Sequence, residues 1–160
     1  MDARLPALES LAVALGEEEA VLAGLLRLAD AMRDALIAAD FDRLDEASNA
    51  MQAAAAEIVR LGRERDGLLA AIGGAGATLN EVLSVAASLG ITALDSRRQR
   101  LVSAALSLQQ AQERNARLVL GAVRLRERWF NMLAGMISPT YGSAGRQNPA
   151  AARRFVSKTA

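Results

Sequence analysis

Two short runs of residues have the types and spacing that could support chemistry at a site. Glu17, Glu18 and Glu19 could offer carboxylates to a metal, but consecutive residues spread around a helix and do not converge on one ion. The glycine-rich segment 73–77 could cradle a phosphate only if Gly-Lys-Ser/Thr followed, and Thr78-Leu79-Asn80 follows instead. We therefore interpret residues 73–77 as a flexible linker.

A basic stretch of four arginines is the third candidate, at Arg117, Arg124, Arg126 and Arg128. Residues 1–80 contain fourteen acids and seven bases, and residues 81–160 contain four acids and twelve bases. The two halves should therefore attract each other when folded. Because only 3% of the residues are aromatic, few side chains could stack on bases, and we predict no nucleic-acid partner. We expect these arginines to lie along apolar surface and to pair with the acidic half.

Histidine and cysteine are missing from the sequence. Their absence excludes Ser-His-Asp and Cys-His catalysis, thiolate zinc sites, histidine-ligated metals and disulfides. No side chain has an ordinary pKa suited to general-base catalysis near neutral pH. The sequence therefore predicts a protein that is not an enzyme and that carries no cofactor and no metal.

Composition favours an all-α fold. The 160 residues include 35 alanines and 24 leucines, which are strong helix formers, but only 14 valines and isoleucines. The length suits one domain with its own core. No apolar run approaches the roughly 20 residues of a membrane span, and the first residues do not resemble a signal peptide, so we expect a cytoplasmic protein without membrane insertion.

The first half predicts a helical hairpin. Apolar residues alternate at spacings of three and four over about residues 7–38 and again over about 42–72, and the connection between the two segments is very short. Asp40 or Asp42 should cap the second helix. Each series of apolar positions contains one charged residue, Glu18 in the first helix and Arg65 in the second. Folding the helices back from the turn brings these two within about one helical turn, so we predict that they pair and fix the register.

The second half predicts two more helices and a tail. Thr78 and Glu81 match a capping box that opens a short helix over about 79–89, with Gly90 placed to stop it. Asp95 or Ser96 should cap a long last helix over about 96–137, which Pro139 ends. We expect residues 138–160 to be disordered and residues 1–137 to form a single helical domain. The fold class is an elongated antiparallel helical hairpin or bundle with a long C-terminal helix.

The last helix carries more apolar residues than one narrow stripe requires. Its facing positions are predicted to be Leu101, Ala105, Leu108, Gln112, Asn115, Val119, Ala122, Arg126, Trp129, Leu133 and Met136. Trp129 and Phe130 are adjacent and point about 100° apart, so they cannot easily face the same neighbour. Either this helix is buried on two sides, or one face is kept for a partner.

Three stretches of the sequence resemble the FlgN-type flagellar export chaperones. Residues 38–44, Ala-Ala-Asp-Phe-Asp-Arg-Leu, resemble the elbow of that family's helical hairpin. Its Asn-x-x-Asn motif, which precedes an apolar helix with basic residues, is similar to residues 112–115, where Gln112 replaces the first Asn. Its Tyr-Gly-x-x-Gly loop is similar to residues 141–145.

The resemblance implies a cytoplasmic chaperone of the hook–filament junction proteins. Family members bind the C-terminal helical segments of these flagellar hook-associated proteins, prevent premature assembly and deliver them to the flagellar type III export gate. The family's gate-docking residues map onto Tyr141 and Gly142. Its substrate-binding surface maps onto Asn115, Leu118, Val119, Ala122, Leu125, Trp129, Met132, Leu133 and Met136.

Two alternatives come from the residues themselves. The first is a coiled-coil scaffold that self-associates through its last helix and binds no cargo, and a homodimer is compatible with either function. The second is a nucleic-acid binder that uses the arginine stretch, whose binding would fall steeply with salt.

Overall fold

The structure is a computed structural model that describes the backbone of residues 4–137 and the side chains of residues 4–135. It contains four helices, α1 (Leu5–Ala38), α2 (Phe41–Gly73), α3 (Leu79–Ser88) and α4 (Ala93–Ile137). No strand occurs among the described residues. The predicted all-α class with a long C-terminal helix is therefore confirmed, and the predicted disorder of residues 138–160 lies outside the described part of the chain.

The chain divides into two units, Met1–Leu118 and Val119–Ala160. The first unit holds α1, α2, α3 and the start of α4. The second unit holds the rest of α4. A single domain spanning residues 1–137 stays a prediction.

An antiparallel pair of helices, α1 and α2, frames the first unit. Ala39 turns the chain with a left-handed backbone, φ 53°, and the Asp40 amide donates to the Ala35 carbonyl oxygen at 2.9 Å. The Asp40 carboxylate then accepts a hydrogen bond from the Arg43 amide at 3.1 Å, which caps α2 as predicted. Because the turn has only two residues, the two helices fold back on each other as an antiparallel hairpin.

The core lies at the open end of this hairpin, where α3 and the start of α4 cover it. Leu8, Leu11 and Leu15 from α1 are at most 1% exposed. They form one cluster with Leu69, Ile72, Val82, Ala86, Leu94 and Leu101. The amino end of α1, the carboxyl end of α2, α3 and the start of α4 thus share a single apolar core.

The predicted pair of charges is present within the hairpin. The Arg65 guanidinium lies 2.9 and 3.0 Å from the two carboxylate oxygens of Glu18, whose side chain is only 6% exposed. Burial raises the pKa of the Glu18 carboxyl above its ordinary value, and the attraction of Arg65 offsets only part of that effect. The two residues face each other at the position that the short turn predicts.

The capping box at the start of α3 is confirmed. The Glu81 carboxylate accepts hydrogen bonds from the amide and hydroxyl of Thr78, and the Thr78 hydroxyl oxygen accepts one from the Glu81 amide. The donors at Thr78 hold the pKa of Glu81 below its ordinary value. At the other end, Gly90 has a φ of 80°, which favours glycine and stops the helix.

Two predictions about α4 are wrong. The helix begins at Ala93 and not at about residue 96, so Asp95 and Ser96 lie within its first turn and do not cap it. Its packed face includes Ala104 and Ala111, and Ala105 and Gln112 are exposed. Turning Ala111 inward buries a methyl group and leaves the Gln112 amide in water, which avoids the cost of desolvating that amide.

Candidate functional site

The second unit presents a helix whose described side chains are all exposed, from Val119 to Gly135. No proline interrupts this stretch, which is rich in leucine, arginine and methionine, all good helix formers. The large apolar side chains on it are between 39% and 72% exposed. Trp129 is 55% exposed and Phe130 is 72% exposed, so this part of the helix is not buried on two sides, and a face kept for a partner stays a prediction.

These apolar residues form a continuous surface along the helix. At 100° per residue they occupy an arc of about 180°. We call this surface the apolar arc, and it comprises Val119, Ala122, Val123, Leu125, Trp129, Phe130, Met132 and Leu133. Leu120 lies on the opposite side, about 180° from Trp129. An arc of this width is broader than the stripe that one neighbouring helix usually covers.

Six of the nine predicted substrate-binding residues lie on the apolar arc. The six are Val119, Ala122, Leu125, Trp129, Met132 and Leu133. Leu118 belongs to the first unit and is 38% exposed. The side chain of Met136 and the predicted docking residues Tyr141 and Gly142 lie outside the described residues.

Asn115 has a packing position in the first unit. It is 8% exposed, and its side-chain amide nitrogen donates to the Ala29 carbonyl oxygen at 2.7 Å. Its side-chain oxygen is buried without a hydrogen-bond partner among the described residues. The family resemblance drew attention to this residue, and the structure shows it contacting α1 in the first unit. Its assignment to substrate binding stays a prediction.

Val123 and Phe130 also belong to the apolar arc, although the predicted site leaves them out. On that side of the helix the predicted site extends only to Val119. The signal that could have included them is the 100° spacing, which places Phe130 and Val123 beside Val119. Arg126 also lies within the arc.

All four residues of the arginine stretch, Arg117, Arg124, Arg126 and Arg128, are exposed. Arg117 lies in the first unit together with the acidic helices and has no ion pair within it, so its predicted pairing is wrong. For the three arginines of the second unit, pairing with the acidic half stays a prediction. Within the first unit, other residues carry the attraction between acidic and basic segments. Arg100 lies 2.8 Å from Glu19, and Arg114 lies 3.3 Å from Asp30.

Catalytic and metal chemistry gain no support from the described residues. In that part of the chain no three acidic side chains come close enough to hold a metal ion. The three consecutive glutamates separate as expected, since Glu18 pairs with Arg65, Glu19 pairs with Arg100, and Glu17 is exposed. A solvent-open groove of about 650 Å³ between α3 and α4 contains only Asp95 and Arg98 as charged residues.

None of the described helices combines the length and the apolar character needed to cross a bilayer.

The fold and the site together define an all-helical protein with an uncovered apolar helix face. The family model described as FlgN protein matches residues 1–149, and the chain therefore belongs to the FlgN family. Membership gives it the general role of a flagellar export chaperone, because the family is a non-enzymatic chaperone family whose members bind flagellar proteins and export apparatus. Comparison with curated proteins and with solved structures finds no match.

Proposed function

We propose that this chain is a cytoplasmic chaperone for the flagellar hook-associated proteins of the hook–filament junction. It binds their C-terminal helical segments on the apolar arc, prevents their premature assembly and delivers them to the flagellar type III export gate. The observation that carries the proposal is the exposure of Leu125, Trp129 and Leu133, each about half exposed on one face of one helix.

The chemistry of the apolar arc suits a helical cargo segment. A segment that is disordered alone and orders as an amphipathic helix exposes an apolar face, which the arc would cover. Met132 supplies a flexible, polarizable side chain that adapts to varied apolar partners. Trp129 provides the large rigid anchor that dominates many protein interfaces.

Binding of a synthetic C-terminal peptide of a junction protein to the full chain tests the proposal. Trp129→Ala should weaken binding by about 2 kcal/mol, or about thirtyfold, as for an interface anchor. Leu133→Ala should also weaken binding, whereas Leu120→Ala is the matched control because Leu120 is equally exposed on the opposite side. Equal affinity of the three variants and the unchanged chain, with helicity preserved, would contradict the proposal.

Delivery to the export gate is assigned to Tyr141 and Gly142 through the family resemblance alone. Tyr141→Ala should leave peptide affinity unchanged and reduce export of the junction proteins from flagellated cells. Loss of peptide binding in this variant would show that cargo binding and gate docking are not separate. The competing scaffold function predicts that the chain alone sediments as an oligomer whose formation Trp129→Ala prevents.

A further inference from the structure

Arg126 is a charged residue within the apolar arc. Its neighbours one helical turn away in either direction are Ala122, Val123, Trp129 and Phe130, and all four are apolar and exposed. Arg124, by contrast, lies about 140° from Trp129 and outside the arc. A partner that covers Trp129 and Phe130 would therefore also cover the position of Arg126.

The first unit contains an arginine in a similar setting. Arg65 has buried leucines four residues away on each side, Leu61 and Leu69. Its guanidinium contacts both carboxylate oxygens of Glu18 across the hairpin. Its other partner, the exposed Asp66 carboxylate at 3.4 Å, is next to it on the same helix, so the carboxylate across the apolar interface is that of Glu18. This chain therefore already accommodates an arginine in an apolar interface by placing a carboxylate opposite to it.

Covering Arg126 without a carboxylate would be unfavourable. Removing a charged group from water costs several kcal/mol unless the group is paired and hydrogen-bonded. Glu127 is the only carboxylate in the described part of the second unit, and it points about 100° away from Arg126 and forms no ion pair with it. The described part of the second unit carries three arginines and one glutamate, so its charge favours an acidic partner.

We propose that the segment bound on the apolar arc is an amphipathic helix with one Asp or Glu among its apolar residues, and that this carboxylate pairs with Arg126. The pair fixes the register of the bound helix, because a slip of one turn would separate the charges and bury both unpaired. This inference rests on the proposed function and adds the chemistry of the partner to it.

Charge reversal at matched positions tests the pairing. Arg126→Glu and Arg124→Glu change the net charge equally on the same exposed helix, about 160° apart. Arg126→Glu should weaken binding of the synthetic junction-protein peptide at least about tenfold, and Arg124→Glu less than about threefold. Circular dichroism of both variants checks that the helix is preserved.

Variant peptides that restore binding to Arg126→Glu identify the carboxylate that pairs with Arg126. In a series of peptides, each Asp or Glu is replaced by Lys in turn, and one of them should bind Arg126→Glu at least about tenfold better than the original peptide does. Equal effects of Arg124→Glu and Arg126→Glu, or no rescuing peptide, would overturn the inference. If Trp129→Ala still weakens binding in that case, the proposed function stands; if it does not, both are overturned.

Discussion

The two parts of α4 use similar residues in different ways. The part in the first unit buries Leu94 and Leu101 to 1% and 9% exposure, whereas the part in the second unit leaves Leu125 and Leu133 56% and 49% exposed. The arginines of the two parts differ in how many of them form ion pairs. Three of the five arginines in the first part, Arg98, Arg100 and Arg114, have ion pairs, whereas none of the three described arginines in the second part has one within the second unit.

Hydrophobicity alone therefore does not decide which leucines of a helix are buried. Leu101 is buried because α1, α2 and α3 supply apolar side chains for it to pack against. A leucine that is half exposed contributes less to folding, because most of its apolar surface is still in water in the folded chain. That remaining surface is available to stabilise a complex, which is why the comparison bears on function.

The largest expected effect comes from truncating a leucine in the packed part. Leu101→Ala should lower the free energy of unfolding by about 2–5 kcal/mol, because it removes buried methyl groups and leaves a cavity. Leu125→Ala should change it by less than about 0.5 kcal/mol, because its side chain is already in water. Urea denaturation followed by circular dichroism measures both.

Two further observations sharpen that contrast. Leu125→Ala should weaken binding of the cargo peptide, whereas a fraction of Leu101→Ala that is still folded should bind it normally. A stability loss for Leu125→Ala as large as that for Leu101→Ala would mean that the apolar arc is covered within the folded protein in solution.

The second expected effect concerns Arg65, the arginine that pairs with the buried Glu18. Arg65→Ala should cost about 2–3 kcal/mol, below the roughly 3–5 kcal/mol of a fully buried pair because Arg65 is itself 32% exposed. Arg63→Ala, at an exposed neighbouring position, is the control. Equal stability of the two variants would show that Glu18 reaches water once Arg65 is removed.

The same pair predicts a dependence on pH. Because the pKa of Glu18 is raised in the folded protein, the folded state binds the proton more tightly than the unfolded state does. Relative to Glu18→Gln, the unchanged protein should therefore lose stability as the pH rises from the ordinary value of 4.5 through the raised pKa, and stay constant above it. Stability curves of both proteins across this range measure the difference.

Much of the first unit could be predicted from the sequence because its determinants are local. Asp40 and Thr78 cap helices through atoms three residues away, and a two-residue turn leaves one way for the hairpin to fold. Given that turn, the spacing of Glu18 and Arg65 predicts their pairing. The predictions of where α4 begins and of which side it buries are wrong, because both features depend on how α4 packs against the rest of the first unit.

The candidate site could be predicted only in part. Helical spacing identifies an apolar surface around Trp129, but the same spacing fits a buried helix and an exposed one, because exposure depends on neighbours that are distant in sequence. Asn115 illustrates the limit. The motif assigns it to the binding surface, which stays a prediction, and gives no sign of its hydrogen bond to Ala29, 86 residues away, in the packing of the first unit.

A smaller effect is expected at the start of α3. Thr78→Ala should cost about 1 kcal/mol, since it removes the side-chain acceptor for the Glu81 amide. Ser96→Ala is the matched control, because Ser96 has a similar sequence context but lies inside α4 and caps nothing. A loss of stability in Ser96→Ala equal to that in Thr78→Ala would mean that α4 begins later than Ala93.

The smallest expected effect separates paired from unpaired surface arginines. Arg100 and Glu19 are 2.8 Å apart with side chains 53% and 31% exposed, so solvent screens most of their attraction. A double-mutant cycle of Arg100→Gln and Glu19→Gln should give a coupling of about 0.2–1 kcal/mol that falls as salt is added. The matched cycle of Arg117→Gln and Glu19→Gln should give none, because Arg117 is exposed and has no ion pair within the first unit. A coupling for Arg117 as large as that for Arg100 would show that the coupling does not come from the Arg100–Glu19 contact, and the contrast between paired and unpaired arginines would then fail.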